Sequence, residues 1–216
     1  MSITTNLYVI AAICGNFWQE STVNPGIWEG LQPNAPGYGL GQWTDNPPVV
    51  MRRTALFNWL QANGYSQDSG PGQLHFLVAE NVWIPSTFTP SAYNTLADFF
   101  ASTSTNLADL TREWMWHWEG IDDGTFNVRL NFASEALQLF QHDNGQRDPW
   151  YSGNYYLRRG DQALANALLI KDFFLQEDPP EPPEPPGPDE PTEEEILAIV
   201  RMALKRRKRG GGVIVF

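Results

Sequence analysis

Residues 15–26 read GNFWQESTVNPG, and residues 37–43 read GYGLGQW. The first stretch closes an apolar run that begins near residue 5, and this pattern predicts a helix over residues 5–20 with Asn6 as its N-cap. The Asn-Pro-Gly sequence at 24–26 then ends the helix. Glu20 is therefore a carboxylate in the last turn of a helix that is apolar over most of its circumference, directly before a glycine-rich segment.

Residues 25–48 are rich in glycine, proline and aromatic residues, a composition that cannot sustain a long helix. We predict a short β-hairpin or irregular lobe there. Helical patterns then return at about 49–63, 71–83, 91–101, 106–119, 124–142 and 161–176. The expected fold class is mainly α (α+β), in which a helical domain and the small hairpin lobe form a cleft between them.

Glu20 has the surroundings that a general acid needs. A carboxylic acid donates a proton near neutral pH only if its pKa is raised, and burial beside apolar groups raises the pKa by penalising the charged form. Glu20 follows Phe17 and Trp18 and precedes the glycine-rich lobe. The competing interpretation is a solvated glutamate at a helix end, which is the commoner environment of this residue type.

Both quoted stretches resemble the lysozyme-like domain of phage tail-associated peptidoglycan hydrolases, within the goose-type lysozyme and lytic transglycosylase superfamily. The resemblance covers about residues 5–142. In that family an apolar first helix ends in a Glu followed by Ser and a small loop with Asn-Pro, which implies that Glu20 is the general acid. The family's cleft-lining segment matches residues 39–43, GLGQW. The implied activity is cleavage of the β-1,4 bond between amino sugars of bacterial peptidoglycan.

The later part of the resemblance is looser. Trp114, Trp118 and Glu119 look like the family's aromatic-plus-Glu segment, and Arg129 and Ala133 look like the helix that follows it. Glycines let backbone groups approach a ligand, and aromatic rings stack on sugar faces. The alternative is a hairpin whose aromatic rings only pack on the core. The substrate-binding residues that we predict are Tyr38, Gly39, Gly41, Gln42, Trp43 and Trp118.

A second catalytic carboxylate is less clearly indicated. Glycosidases usually place two carboxyl groups about 5–5.5 Å or about 6.5–9.5 Å apart, depending on the stereochemical outcome. Glu29 and Asp45 are the candidates, and Asp45 is predicted as the second catalytic residue. Its alternative role is that of a turn residue before Asn46 and Pro47. Because the resembling superfamily also includes enzymes that manage without a strong second carboxylate, hydrolysis and lytic transglycosylation both stay open.

Three arginines accompany these acids. Arg52 and Arg53 open a helical pattern near the predicted cleft, where they would either contact carboxylates of the muramic acid unit or lie on the surface. We expect Arg129 to form a structural ion pair with one of the acidic residues.

Composition excludes several other functions. The formal net charge of −11 argues against a nucleic-acid substrate. The single cysteine, Cys14, excludes an internal disulfide and fits a buried apolar position. The three histidines are scattered without metal-ligand spacing, so we expect neither a metal nor a cofactor.

Charge also divides the chain into parts. Residues 1–177 are predicted as the catalytic domain, with a core at about 5–142 and a helical extension at 148–177. Residues 178–191 form an acidic, proline-rich sequence typical of an extended linker. Residues 192–216 carry a capping box, an apolar stripe and a basic end, which predict an amphipathic helix with an apolar tail.

This C-terminal helix has several possible partners. It could tether the enzyme to phage tail proteins, contact an anionic membrane or self-associate, and the alternative is a solvated terminus. No signal peptide is visible, so we expect a phage particle to deliver the protein to the host cell wall. The predicted location is the virion. Two other functions stay open, namely a catalytically inactive glycan-binding or structural tail component, and a membrane-perturbing protein acting through its C-terminal helix.

Overall fold

The computed structural model describes residues 2–48, 50–155 and 160–176. The predicted linker at 178–191 and the predicted amphipathic helix at 192–216 lie outside these residues. Within the described ranges the fold is mainly α with a small sheet, as the sequence predicted. The helices are α1 (Leu7–Ser21), α2 (Arg52–Ala62), α3 (Gly70–Glu80), α4 (Leu96–Phe100), α5 (Leu107–Trp114), α6 (Phe126–Gln141) and α7 (Gly160–Leu175).

Helix α1 is the central helix among the described residues. Asn6 caps it as predicted, because its side chain accepts a hydrogen bond from the Tyr8 amide at 3.0 Å. Residues 9–17 are all buried, and α5, α6 and α7 pack around this helix. Cys14 lies within this core, as expected. An apolar helix of this kind is stable only when other elements enclose it.

Helix α1 ends where its last turn meets the hairpin. The Ser21 Oγ atom lies within hydrogen-bond distance of the carbonyl oxygens of Phe17, at 3.0 Å, and Leu40, at 2.8 Å, and its single proton is shared between them. Thr22 follows in the left-handed conformation, with φ of 53°, and its amide donates back into the last helical turn. These contacts fix the end of α1, and with it Glu20, against the glycine-rich segment.

The predicted hairpin is a small antiparallel sheet of strands β1 (Gly37–Tyr38), β2 (Trp43–Asn46) and β3 (Val50–Met51). Gly37 pairs with Thr44 across β1 and β2, and Asn46 pairs with Val50 across β2 and β3. Side chains alternate between the two faces of a strand. In β2 this alternation buries the first and third residues and exposes the second and fourth.

A π-helical turn continues α5 and covers Met115–Glu119. Such turns insert an extra residue into the helical repeat, so they rotate the side chains that follow, and they are frequent at functional sites. Gly120 ends the turn with φ of 71°. The sequence predicted one uninterrupted helix over 106–119, and the π-helical turn is the departure from it.

The segment after α6 returns to the hairpin lobe before α7 begins. Asp143 pairs with Arg147 and Lys171, and Arg147 also pairs with Asp172, so this segment is fixed to α7. Further along this segment, Asn154 contacts the hairpin lobe near its short 3₁₀ turn. Its side-chain carbonyl accepts from the Trp28 amide at 3.1 Å, and its amide group donates to the Leu31 carbonyl at 3.0 Å.

None of the helices in the described ranges combines the length and apolarity that crossing a bilayer requires.

Candidate active site

The end of α1, the hairpin and the π-helical turn surround one cavity of about 410 Å³. Helix α1 supplies Glu20 to it, and the π-helical turn supplies Glu119. A short 3₁₀ turn, Glu29–Leu31, forms part of the opposite wall. The lining residues are Glu20, Ile27, Trp28, Glu29, Gly30, Gly41, Gln42, Thr44, Val50, Arg52, Glu119 and Ile121.

Glu20 forms an ion pair at the cavity edge. Nη2 of Arg129 donates to Oε1 of Glu20 over 2.7 Å, and the Glu20 side chain keeps 20% of its surface exposed. Burial raises the pKa of Glu20, whereas the charge and the hydrogen bond of Arg129 lower it. The negative charges of Asp123 and Glu29 add to the rise, and the net direction is upward. The carboxyl group is therefore easier to protonate than an ordinary glutamate.

Arg129 is enclosed completely, with none of its surface exposed. Its guanidinium also donates to Asn16 Oδ1 at 3.0 Å and to Thr125 Oγ1 at 3.0 Å. Helices α1 and α6 approach closely here, because a β-carbon at Gly15 would collide with the Arg129 carbonyl. The predicted ion pair of Arg129 with an acidic residue is thus present, with Glu20 at 2.7 Å and Asp123 at 3.5 Å as its partners.

Glu119 is the second acid on this side of the cavity. Its Oε1 atom is shielded from water and has no hydrogen-bond partner among the described residues. Burial raises the pKa of Glu119 well above its usual range, and the charge of Glu20 adds to the rise. The positive charges of Arg129 and Arg52, and a hydrogen bond from the Trp114 side chain, lower the pKa without reversing this rise. Burial makes the charged form of this carboxyl group unfavourable, so Glu119 keeps its proton to a higher pH than an ordinary glutamate.

The glycine-rich wall depends on one close approach. A β-carbon at Gly41 would come within 2.5 Å of the Trp118 ring, so only glycine lets the backbone pass there. Gln42 follows with φ of 44°, and its side chain donates to the Gly39 carbonyl at 3.0 Å. Backbone and amide groups of Gly41 and Gln42 therefore border the cavity in a fixed conformation.

Arg52 supplies a positive charge to the wall, but that charge already has a partner. Its Nε and Nη2 atoms donate to the two carboxylate oxygens of Glu80 at 2.7 and 2.9 Å. Its guanidinium also lies 4.6 Å from the centre of the Trp118 ring. Arg53 points elsewhere, toward Asp45 and the Ala35 carbonyl.

Comparison with known proteins identifies the family. The family model for phage tail lysozymes matches residues 3–140 of this chain. The chain belongs to the phage tail lysozyme family. That family domain includes α1, the hairpin, the π-helical turn and nearly all of α6, so it contains every cavity-lining residue. The resemblance deduced from the two quoted stretches is thereby confirmed.

One curated relative is Morphogenesis protein 1 of Bacillus phage B103, which is 37% identical over 157 residues. The match covers 63% of this chain but 41% of the relative. The chain thus spans less than half the length of that relative.

The cavity brings together only part of the predicted site of this phage tail lysozyme. Glu20, Gly41 and Gln42 line it, and so does Glu29, the alternative second acid. Glu29 is exposed, and its Oε2 atom accepts a hydrogen bond from the Gly37 amide at 3.0 Å. The catalytic and binding roles of these residues stay predictions.

The predicted stacking aromatics are not on the cavity wall. Trp43 and Trp118 are buried, with 0% and 1% of their surfaces exposed, and their rings pack edge to face with centroids 5.6 Å apart. Tyr38 is also buried, between Trp28 and Phe57. Trp43 points into the core because side chains alternate between the two faces of β2. The same alternation turns its neighbour Thr44 toward the cavity. Trp28 is the tryptophan that reaches the wall.

Two further predicted residues also lie elsewhere. Gly39 faces Gln73, whose side chain accepts a hydrogen bond from the Leu40 amide at 2.9 Å. Asp45 is not among the cavity-lining residues, and its oxygens accept from Arg53 and from the Thr54 amide and hydroxyl at 2.6–3.0 Å. Thr54 lies in the first turn of α2, so Asp45 stabilises the start of that helix. Glu29 and Glu119 thus share the cavity with Glu20, and Asp45 does not.

Sequence reasoning missed the positions of Glu119 and Trp28. The looser resemblance includes Glu119 but implies no role for it. The signal was the position of Glu119 directly after the aromatic stretch Trp114–Trp118, since an acid beside so many large apolar residues is drawn toward the core or toward a cavity. Trp28 stands two residues after Gly26 in the lobe, and no periodicity distinguishes it from the core aromatics.

Proposed function

We propose that this protein cleaves the β-1,4 glycosidic bonds of bacterial peptidoglycan, with Glu20 as the general acid. The observation that carries the proposal is the position of Glu20, on the wall of a cavity within a phage tail lysozyme domain, with a pKa raised by burial. A protonated Glu20 would donate its proton to the glycosidic oxygen as the bond to the leaving sugar breaks.

Arg129 orients the Glu20 carboxyl group, but its positive charge also lowers the pKa of that group. The buried guanidinium fixes one oxygen of Glu20, so the other oxygen is the one available to the substrate. The same positive charge favours the ionised form, which opposes proton donation. Burial and the nearby Asp123 and Glu29 charges offset this effect. The arrangement therefore supports an acid that is both oriented and protonatable.

The wall opposite Glu20 suits an amino sugar. Gly41 and Gln42 offer backbone and amide groups to an N-acetyl substituent, and the half-buried Trp28 offers an indole face to a sugar ring. Glu29 is the acid best placed to activate water, because it lines the cavity and is exposed to solvent. If water does not attack, the 6-hydroxyl of the substrate is the alternative nucleophile, and the product then is an anhydro sugar.

The test compares wild-type protein with Glu20→Gln on isolated peptidoglycan, with mass spectrometry of the soluble products. Glu135→Gln is the matched control, since Glu135 is an exposed glutamate on α6 outside the cavity. We expect muropeptides from wild type and Glu135→Gln, and a loss of at least about 100-fold in Glu20→Gln, the usual contribution of a general acid. Reducing ends indicate hydrolysis, and 1,6-anhydro ends indicate transglycosylation. Equal release by Glu20→Gln and wild type would refute the assignment, and release by neither would favour glycan binding without catalysis.

We further propose that the protein is carried by a phage particle and acts on the host wall from outside. The family of phage tail lysozymes and the similarity to a phage morphogenesis protein support this location. Mass spectrometry of purified virions and immunogold labelling of their tails test it directly. Absence of the protein from virions, together with its presence in infected-cell lysate, would contradict the proposal. Residues 192–216 are the proposed attachment segment, either to tail proteins or to a membrane.

A further inference from the structure

Among the described residues, three carboxyl groups line the cavity, and they differ in their partners. Glu20 is paired with Arg129, and Glu29 accepts a hydrogen bond from the Gly37 amide. Glu119 forms no ion pair, and its buried Oε1 atom has no hydrogen-bond partner in the described part of the chain, while the Trp114 side chain acts on the carboxyl group as a donor that lowers its pKa. A buried polar atom without a partner is uncommon in a folded protein and calls for an explanation.

The positive charges nearby are already committed. Both carboxylate oxygens of Glu80 hold Arg52, while Arg129 is shared between Glu20 and Asp123 at 2.7 and 3.5 Å. Neither guanidinium forms an ion pair with Glu119. Its charged form would therefore be both desolvated and close to the negative charge of Glu20, which is why the pKa of Glu119 is raised. The neutral acid avoids both costs.

A neutral carboxylic acid has one O–H donor and retains acceptor capacity. Glu119 is the last residue of the π-helical turn, and it lines the cavity rather than the surrounding core. The amide carbonyls and hydroxyl groups of an amino-sugar polymer supply complementary partners. A ligand in the cavity would thus add a hydrogen-bond partner to a carboxyl group whose Oε1 atom has none among the described residues.

We propose that Glu119 binds the glycan as a neutral carboxylic acid, donating a hydrogen bond from its O–H to an acceptor oxygen of the substrate. This inference rests on the proposed function, since the ligand is the glycan that Glu20 cleaves. It assigns the two acids different tasks, with proton transfer at Glu20 and substrate recognition at Glu119. Ionisation of Glu119 would remove the donor, so glycan affinity falls as the pH rises.

The experiment measures glycan affinity without turnover. The Glu20→Gln protein is titrated calorimetrically, across the pH range in which it stays folded, with soluble peptidoglycan glycan strands freed of their peptides. Three second-site variants are compared in this background: Glu119→Gln, which keeps a neutral donor, Glu119→Ala, which removes it, and Glu135→Gln as the exposed control. Circular dichroism establishes that each variant is folded.

Loss of one substrate hydrogen bond of about 1.4 kcal/mol corresponds to tenfold in affinity. We expect Glu119→Ala to bind about tenfold more weakly at low pH. The parent and the Glu135→Gln variant should lose affinity as the pH rises, whereas Glu119→Gln should bind well and without this loss. A purely structural role of Glu119 would not produce a pH-dependent affinity that the glutamine variant abolishes.

Two results would overturn the inference while leaving the proposed function intact. One is equal affinity of the Glu119→Ala protein and its parent at every pH. The other, decisive even if the alanine variant fails to fold, is an alkaline loss of affinity that persists in Glu119→Gln. Failure of the proposed function is different in kind, because wild-type protein would then release no muropeptides and the parent would bind no glycan.

Discussion

Arg129 and Glu20 lie 109 positions apart in sequence, yet their side chains meet over 2.7 Å, and the arginine is wholly enclosed. The ion pair links α6 to the last turn of α1. It also determines how readily Glu20 gains a proton, because the guanidinium lowers the pKa that burial raises. Replacement of Arg129 should therefore affect both stability and the pH dependence of activity.

For Arg129→Met we expect a higher pKa of Glu20 and a shift of the alkaline limb of the activity profile to higher pH. We also expect a loss of about 3–5 kcal/mol in stability, the usual cost of breaking a buried ion pair. The measurements are a pH–rate profile and chemical denaturation. Arg112→Met is the control, since its side chain is 37% exposed and pairs with Asp109. An unchanged alkaline limb in a folded Arg129→Met protein would disprove the electrostatic role.

Glu119→Gln should make stability less dependent on pH. The pKa of Glu119 is raised in the folded state, so the native protein binds more protons than the unfolded chain above the ordinary glutamate pKa of 4.5. Its contribution to stability is complete below that value and is lost as the pH rises through the raised native pKa. The glutamine variant avoids this loss. Urea denaturation at pH 4 and pH 8 tests this expectation. The free energy of unfolding of the variant should exceed that of wild type at pH 8 but not at pH 4. The same change in free energy between the two pH values for both proteins would count against the prediction.

Asp45→Asn should destabilise the protein without impairing glycan cleavage. Burial raises the pKa of Asp45, but the hydrogen bonds that its carboxylate accepts from the Thr54 amide and hydroxyl and from Arg53 lower it, and the net direction is downward. We expect a loss of about 1–3 kcal/mol at neutral pH. Because the folded-state pKa is lowered, the contribution disappears as the pH falls through it. Thermal denaturation and peptidoglycan turnover per folded molecule are the measurements. A large fall in turnover at unchanged stability would restore Asp45 as a catalytic candidate.

Asn154→Ala should loosen the cavity wall from outside the matched family segment, which ends at residue 140. The asparagine side chain bonds to the Trp28 amide and the Leu31 carbonyl, which bracket the turn that carries Glu29. We expect a stability loss of about 1 kcal/mol and a raised KM with little change in kcat. Asn144→Ala, in an exposed turn, is the control. If both variants show the same KM as wild type, the segment has no positioning role.

The elements of this fold were predictable where local patterns dominate. The Asn6 cap, the apolar length of α1 and the glycine-rich hairpin are each encoded within a few residues, so their positions follow from sequence. Glu20 and Gly41 reach the cavity for the same reason. The position of Glu119 was not predictable in this way. A π-helical turn changes the angular position of the residues in it, and a pattern with a period of 3.6 residues does not reveal such a turn.

Aromatic residues were harder to place. Trp43 and Trp28 are alike in type and both lie in the hairpin lobe, but the pairing register of β2 turns Trp43 inward. Register depends on contacts between segments, which a single sequence does not reveal. The role of Asp45 at the start of α2 was equally hidden, because Thr54 becomes its partner only when β2 and α2 pack together.

Cys14, the sole cysteine of the chain, is a buried residue of helix α1. Its thiol is shielded from solvent, so reagents that modify thiols should leave the native protein untouched. A cysteine introduced at Val50, which is 38% exposed on the rim of the cavity, would then be the reactive one. A fluorophore attached there would report the arrival of a polymer in real time, on a background that needs no prior removal of native thiols.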